Sequence, residues 1–238
     1  MVDRVALLSD VHGVLPALEA VLAEPDVRAA DLVVLTGDLA AGPLPVPTLD
    51  LLASLGERAV WVRGNGDRDP GAWVCAQLRA DQRERLAALP LTVTLDVAGF
   101  GPTLSCHATP RDDEEFVLVD SSMARWRAVL STVDNTVTTV VCGHTHMPFV
   151  RLVDRRLVVN PGSVGMPYGS VGAHWALLGP GTTVALRRTA YDIEAACARI
   201  AAESGYPDAA RWADDYLHAR GSDAEALEAF HARAANPG

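Results

Sequence analysis

The chain has 238 residues, 49% of them hydrophobic, and its 20 basic and 30 acidic side chains give a formal charge of −10. This size and composition predict one compact domain, at most with an appendage. The acidic balance argues against a nucleic-acid polymer as partner, because phosphate backbones are bound by an excess of basic side chains. No signal peptide is visible and no apolar run reaches the roughly 18 residues that cross a bilayer. We therefore expect a cytoplasmic protein with reduced cysteines and no membrane partner.

Short apolar runs, each followed by a polar turn, organise the first part of the chain. They cover residues 4–10, 31–38, 58–65, 103–110 and 138–146. Their near-continuous apolar character is typical of strands that are buried on both faces. Between the first three runs the sequence predicts helices over 15–24 and 47–56, the second with a glycine cap at Gly56. This alternation predicts a parallel sheet with helical crossovers.

The second part of the chain has a different pattern. Alternating segments predict three β-hairpins that turn at 99–102, 154–156 and 179–181. Alanine-rich segments at 191–203, 207–219 and 222–234 predict helices. We therefore expect a main domain over 1–190 and a helical extension over 191–238 that packs on it.

Polar side chains recur at the carboxyl ends of the apolar runs, where open α/β sheets bind their ligands. They are Asp10 and His12, Asp38, Asn65 and Asp67, His107, and His144 and His146. Each alone is compatible with a helix cap, a turn or a core histidine. The "GHTH" pair is the most specific of them, because two histidines one residue apart point the same way on an extended backbone. Together these residues predict a metal site.

The residue types indicate which ions fit. Aspartate, asparagine and histidine ligands suit Mn, Fe, Zn, Co or Ni, and they argue against a thiolate zinc site or an all-oxygen calcium site. Without Asp67 the set holds seven candidates, which are too many for one ion that keeps an open position. They suit two ions about 3.5–4 Å apart that share a carboxylate. We therefore expect two divalent ions, with Mn as first choice and Fe, Ni, Zn, Co or Mg as alternatives.

The ordered series "DVHG", "GDLA", "GNGD", "CHATP" and "CGHTHMP" resembles the calcineurin-like metallophosphoesterase superfamily. The later "VVNPGSVGMP" over 158–167 resembles the small bacterial and archaeal phosphodiesterase branch of that superfamily. The resemblance implies an α/β (α+β) fold, a four-layer αββα sandwich of two mixed β-sheets flanked by helices. The part of the chain with the three hairpins would supply the second sheet. The helical extension after Tyr191 lies outside the resemblance.

The resemblance also implies roles for individual residues. Asp10, His12 and His146 would hold the first ion. Asn65, His107 and His144 would hold the second, and Asp38 would bridge both. Hydrolysis of a phosphate ester would then proceed by in-line attack of a metal-bridging hydroxide.

Further roles follow for residues beside these ligands. Besides Asp38, we expect Asn65, Asp67 and His107 to act in catalysis, with Asp67 orienting a ligand or the bound water. Substrate would be bound by Asn65 and by Arg111, although Arg111 is also compatible with an ion pair to an acidic side chain at 112–114. The segment 160–169 is either a turn or a place where backbone N–H groups approach an anion.

The sequence departs from the best-known relatives at Gly66, where they carry a histidine that acts as general acid. Such an acid contributes typically 10²–10⁴-fold, and its loss hurts poor leaving groups most. This favours a phosphodiesterase, and it predicts a gain in monoesterase activity for Gly66→His if the pocket admits the ring. The alternatives are a phosphomonoesterase, a protein phosphatase, a dinucleoside polyphosphate hydrolase, or a non-catalytic scaffold like the retromer subunit of this fold. We expect a small phosphate ester as the binding partner. The pattern is also compatible with a homo-oligomer.

Overall fold

A computed structural model describes residues 2–235 of the chain. The strands in this range are β1 Val5–Leu8, β2 Leu32–Leu35, β3 Ala59–Trp61, β4 Thr92–Val97, β5 Gly101–Cys106, β6 Thr139–Val141, β7 Phe149–Val153, β8 Arg156–Asn160, β9 Ala173–Leu178 and β10 Val184–Thr189. They form two five-stranded sheets, in the orders β10-β9-β1-β2-β3 and β4-β5-β6-β8-β7. Both sheets mix parallel and antiparallel pairs.

Helices flank the two sheets. In the same range they are α1 Leu15–Ala23, α2 Pro25–Arg28, α3 Pro45–Ala53, α4 Asn65–Arg68, α5 Ala72–Gln77, α6 Ala80–Ala87, α7 Met123–Val129, α8 Ile193–Glu203, α9 Ala209–Leu217 and α10 Asp223–Ala235. Most of them pack on the first sheet in one large hydrophobic core, and α7 packs on the second sheet in another. The predicted four-layer sandwich is therefore confirmed.

Strand β1 illustrates why an apolar run becomes a central strand. All four of its residues are buried, and successive side chains of a strand point to opposite faces of a sheet. Val5 and Leu7 pack between the two sheets, whereas Ala6 and Leu8 pack against the helices. A strand covered on both sides in this way has no polar position, which is the pattern seen in the sequence.

Several local predictions need correction. The hairpin of β9 and β10 joins the first sheet, because β9 pairs antiparallel with β1, so the second sheet contains only the two earlier hairpins and β6. Strand β3 lies at an edge and is only half-buried. The helix cap of α3 is Ser54, and Gly56 begins a short 3-10 turn instead.

The C-terminal helices continue the fold without a break in packing. Ile200 of α8 and Leu217 of α9 are buried in the same core as β1 and α1. Helix α10 packs elsewhere, in a small cluster with Leu118 and Met147. The domain division at residue 190 stays a prediction. Among the described residues, no helix is long and apolar enough to span a bilayer.

His174 on β9 makes stability depend on pH. It is 3% exposed, its Nε2 lies 2.9 Å from the Ser170 hydroxyl, and burial, together with Arg188, lowers its pKa to about 4. Between pH 6.5 and 4 the unfolded chain binds a proton that the folded chain excludes. We therefore expect the free energy of unfolding to decrease as the pH is lowered through this window. His174 should account for about 2 kcal/mol of the decrease.

Urea unfolding of the wild type and of His174→Gln at pH 7, 5.5 and 4.5 checks this expectation. The variant should lose less stability between pH 7 and 4.5 than the wild type does. Parallel curves for the wild type and His174→Gln would contradict the argument.

Candidate metal centre

Most of the candidate ligands have a backbone conformation that residues other than glycine rarely adopt. Asp10, His12, Asp38, His144 and His146 all have φ between 50° and 65°, and they are five of the nine non-glycine residues with positive φ in the described part of the chain. This left-handed conformation costs energy and persists where the surrounding structure enforces it, often at functional sites. Here the first two loops hold each other, because the Asp10 and His12 N–H groups donate to the carbonyls of residues 37 and 38, at 3.0 and 2.9 Å.

The first cluster of side chains contains Asp10, His12 and His146. His146 Nε2 lies 3.1 Å from Asp10 Oδ1 and 3.2 Å from His12 Nε2. His12 Nε2 lies 3.8 Å from Asp10 Oδ1. One ligand atom of each residue is thus close enough to the others for a shared metal ion.

The second cluster contains Asn65, His107 and His144. His107 Nε2 lies 3.1 Å from Asn65 Oδ1 and 3.2 Å from His144 Nδ1. The two histidines of "GHTH" therefore serve different clusters. The expectation that they point the same way from an extended backbone is wrong, because both are left-handed.

Asp38 lies between the clusters. Its Oδ2 is 3.7 Å from His12 Nε2, and its Oδ1 is 3.5 Å from His107 Nε2. The Oδ1 also accepts a hydrogen bond from the Gly66 N–H at 2.6 Å. Gly64 makes this approach possible, since a Cβ there would lie 2.2 Å from Asp38 Oδ1.

Backbone carbonyls define the tautomers of three histidines. His12 Nδ1 lies 3.1 Å from the Ala41 carbonyl, His107 Nδ1 lies 2.7 Å from the Thr36 carbonyl, and His146 Nδ1 lies 2.8 Å from the Met166 carbonyl. A carbonyl only accepts, so each Nδ1 must carry the hydrogen and each neutral ring presents Nε2 as a lone pair. All three Nε2 atoms point into the clusters, which is the arrangement that metal-ligating histidines adopt.

Side-chain oxygens without a hydrogen-bond donor indicate which ligand the clusters bind. Asp10 Oδ1, which faces the first cluster, is buried, and no described residue donates a hydrogen bond to it. The Asn65 oxygen faces only acceptor atoms, and without a cation the amide would be better turned so that its nitrogen donates. A cation resolves this conflict, because ligands about 2.1 Å from one ion are themselves about 3.0–3.4 Å apart. The residues therefore fit divalent metal ions.

Electrostatics favour the same conclusion. Burial disfavours the charge on Asp38, but His107, His12 and His144 together more than offset this and hold the pKa of Asp38 well below its usual range. Burial also opposes a charge on His107, yet Asp38 and Asp10 raise the pKa of His107 to about 10. Burial and the neighbouring His107 lower the pKa of His144 to about 3. The buried carboxylates thus favour positive charge beside them. His144 stays neutral, as a histidine that binds a cation must be.

Asp67 faces backbone N–H groups and not the ligand atoms. Its carboxylate accepts from the N–H of Asp38 and of Leu39, both at 2.8 Å, and from the N–H of Gly64 at 2.9 Å. It is 3% exposed, and burial, with Asp38 nearby, raises its pKa to about 7 although these hydrogen bonds oppose the shift. Asp67 thus ties the Asp38 loop to the "GNGD" loop, which itself forms α4.

The segment 160–169 supports the ligand loops from behind. Asn160 Nδ2 donates to the Gly143 carbonyl at 2.8 Å, and the Ser163 hydroxyl donates to the Asp10 carbonyl at 2.8 Å. The N–H of Gly165 also donates to the Asp10 carbonyl, at 3.0 Å, so it is not free for an anion. Sequence patterns missed Asn160 and Ser163 as supports, although their place in the motif "NPGS" was a usable signal.

Arg111 lies on the wall of a pocket of about 780 Å³ that opens onto Asn65 and His144. Its guanidinium pairs with Glu115, Nε to Oε2 at 2.8 Å and Nη2 to Oε1 at 2.5 Å. The ion-pair alternative of the sequence is therefore present, but with Glu115 in place of a residue at 112–114. Its role in binding substrate stays a prediction.

Comparison with known proteins agrees with this geometry. Residues 4–181 match the calcineurin-like phosphoesterase superfamily domain. A metallophosphoesterase from Sphaerobacter thermophilus superposes with a TM-score of 0.74 at 25% identity, over 92% of this chain and 99% of that one. A hypothetical protein from Pyrococcus horikoshii shares the fold, with a TM-score of 0.74 and 20% identity over the same fractions. An uncharacterized protein of Methanocaldococcus jannaschii is 26% identical over 197 residues, which are 69% of this chain and 77% of that protein. This chain belongs to the calcineurin-like phosphoesterase superfamily.

Proposed function

We propose that this protein is a dinuclear metal-dependent phosphodiesterase. The observation that carries the proposal is the pair of clusters joined by Asp38, into which three histidines direct their Nε2 atoms. Asp10, His12 and His146 would hold one ion, Asn65, His107 and His144 the other, and Asp38 both. Mn is the ion that we propose to supply first.

Two bound cations would supply a water of lowered pKa and neutralise charge that builds on the phosphoryl oxygens. The chain's own residues keep that chemistry in place. The carbonyls of Ala41, Thr36 and Met166 hold the histidine rings in orientation, and Asp67 holds the backbone of Asp38. Because Asn65 and His144 line the open pocket, whereas Asp10 and His107 are fully buried, substrate would enter from the side of the second cluster.

The preference for a diester rests on the glycine at position 66. Gly66 has no side chain to protonate a leaving group. Glu115 lines the same pocket, but its hydrogen bond from Arg111 and the nearby Arg125 hold its pKa below the ordinary value, although burial acts the other way. Glu115 is therefore ionised near neutral pH and cannot act as the acid. Esters with good leaving groups depend least on such an acid.

Gly66→His is expected to lower activity, contrary to what the sequence predicts. A Cβ at position 66 would lie 3.0 Å from Asp38 Oδ1 and 3.0 Å from the Ala41 Cβ. We expect the shifted Asp38 carboxylate to reduce kcat/KM for bis(p-nitrophenyl) phosphate about tenfold, which corresponds to only about 1.4 kcal/mol. Gly66→Ala, which adds the Cβ without the ring, should show the same loss. A gain on p-nitrophenyl phosphate in the histidine variant alone would contradict this crowding argument.

The function is tested with a panel of substrates. Bis(p-nitrophenyl) phosphate, p-nitrophenyl phosphate, glycerol phosphate and cyclic nucleotides are offered to the protein loaded with Mn, Ni, Mg or Zn. We expect the diester to exceed the alkyl monoester at least tenfold in kcat/KM. A faster alkyl monoester would favour the phosphomonoesterase alternative. If the metal-loaded protein hydrolyses none of these substrates, the non-catalytic scaffold alternative is favoured.

A further inference from the structure

The C-terminal helix α10 is anchored beside the metal centre. It buries Ala226 and Phe230 in a cluster with Leu118 and Met147. The His231 ring meets Asp120 outside this cluster, with Nε2 2.9 Å from Oδ2. The helix is therefore docked on the main domain by both apolar and polar contacts.

Phe230 of α10 joins the rings that cover the candidate ligands. It stacks on Phe116, with ring centroids 4.9 Å apart, and meets the edge of Tyr168 at 5.9 Å. Phe116 in turn lies 4.5 Å from the His144 ring, and Tyr168 lies 5.6 Å from the His146 ring. Both histidines of "GHTH" are thus covered by an aromatic side chain that Phe230 contacts.

The start of α10 is also held in place. Ser222 and Glu225 exchange hydrogen bonds between side chain and backbone, in the pattern of a capping box. The Gly169 N–H, next to Tyr168, donates to the Gly221 carbonyl at 3.3 Å. The position of the helix relative to the metal centre is therefore determined at both of its ends.

Arg233 follows Phe230 by almost one turn and reaches the pocket in front of the metal centre. The pocket of about 780 Å³ is lined by Asn65 and His144 of the second cluster, by Glu115, and by Arg111, Arg125 and Arg233. The Arg233 guanidinium carbon lies 5.9 Å from the Phe230 ring centroid. Within residues 2–235 it forms no ion pair with a carboxylate, whereas Arg111 and Arg125 share Glu115, at 2.5 and 2.9 Å.

We propose that Arg233 binds an anionic group of the substrate and that α10 is thereby part of the active site. The proposal rests on the function proposed above, since it concerns the same pocket. The anionic group is either an oxygen of the scissile phosphate or a second phosphate on the same substrate. Both present the oxygens that a planar guanidinium binds through paired hydrogen bonds.

Of the three arginines that line the pocket, Arg233 can bind an anion without breaking an ion pair with a described residue. Binding of a phosphate by Arg111 or Arg125 must compete with Glu115, whereas Arg233 gives up no carboxylate partner among the described residues. Phe230 acts as a positioning residue, because its ring supports the guanidinium and joins α10 to the aromatic side chains over His144 and His146.

The test compares Arg233→Gln with Arg211→Gln in the full chain. Arg211 on α9 carries the same charge, its side chain is 83% exposed and it lies outside the pocket lining. The substrates are bis(p-nitrophenyl) phosphate and a thymidine dinucleotide with and without a 5′-phosphate, each with Mn present. We expect Arg233→Gln to raise KM about tenfold, with Arg211→Gln unchanged and Arg233→Lys intermediate.

The pattern across substrates distinguishes the two sources of the anion. A higher KM for all three esters assigns Arg233 to the scissile phosphate. A higher KM for the 5′-phosphorylated dinucleotide alone assigns it to the second phosphate. Equal KM values for Arg233→Gln and Arg211→Gln on every substrate overturn the proposal.

Equilibrium binding separates this proposal from the proposed function. Both dinucleotides are titrated by calorimetry into Asp38→Asn and into the double variant with Arg233→Gln, again with Mn. About tenfold weaker binding by the double variant supports Arg233 even if the wild type hydrolyses none of the panel, in which case only the phosphodiesterase assignment fails. Equal affinities, or no binding of either dinucleotide by Asp38→Asn, overturn the role of Arg233.

Discussion

Asp38→Asn is expected to abolish phosphodiester turnover, with kcat lower by about 10³-fold or more, as for the loss of a group that positions both ions. The two carboxylate oxygens of Asp38 face different clusters, 3.7 Å from His12 Nε2 and 3.5 Å from His107 Nε2. An amide offers one oxygen, and its NH₂ group cannot ligate a cation. Metal analysis should therefore find close to two ions per wild-type chain and at most one in the variant.

The matched control is Asp50→Asn, because Asp50 is an exposed aspartate that pairs with Arg79 away from the clusters. It should keep both ions and full turnover. Retained activity in Asp38→Asn, or two ions still bound to it, would refute the assignment of Asp38 as the bridge.

Asp67→Asn should lower metal affinity by 10–100-fold, the range typical of residues that support a ligand. The Asp67 carboxylate accepts three backbone N–H groups, and an amide places an NH₂ group against at least one of them. A buried donor without a partner costs about 1–3 kcal/mol, so the unfolding temperature should fall as well. Metal affinity is measured by titration of the chelator-treated protein, with activity as a second readout.

Excess metal distinguishes positioning from direct catalysis at this residue. If Asp67 only holds the Asp38 loop, high Mn concentrations should restore most of the turnover of Asp67→Asn. Unchanged metal affinity together with lost turnover would contradict the positioning role and favour direct participation in the reaction.

The apolar runs predicted most of the central strands, and the reason is local. A segment such as β1 is covered on both faces, so its residues are almost all apolar whatever lies around it. Tight turns were also readable: Asp154 and Arg155 between β7 and β8 are both left-handed, as a two-residue hairpin requires. The partner of a hairpin is decided at long range, which is why β9 and β10 were predicted in the wrong sheet.

The candidate site divides in the same way. The seven candidate ligands could be named from the ends of the apolar runs, because parallel strands bring their carboxyl ends to one edge. The direction of each side chain could not be predicted, since it depends on the left-handed backbone at His144 and His146 and on carbonyls far along the chain. The supports Asn160 and Ser163 act through such distant carbonyls as well.

The family, the layered fold and the seven candidate ligands could be predicted from the sequence, because they depend on residue type and order along the chain. The packing of distant segments determines that Asp38 lies between two clusters, that Asp67 holds the backbone of the Asp38 loop, and that α10 brings Arg233 to the pocket. Helix α10 is remote in sequence from "GHTH", and its amphipathic pattern indicates a helix but not the surface on which it packs. That surface is determined by Phe116, Leu118, Met147 and Tyr168, whose side chains are assembled only when the chain has folded.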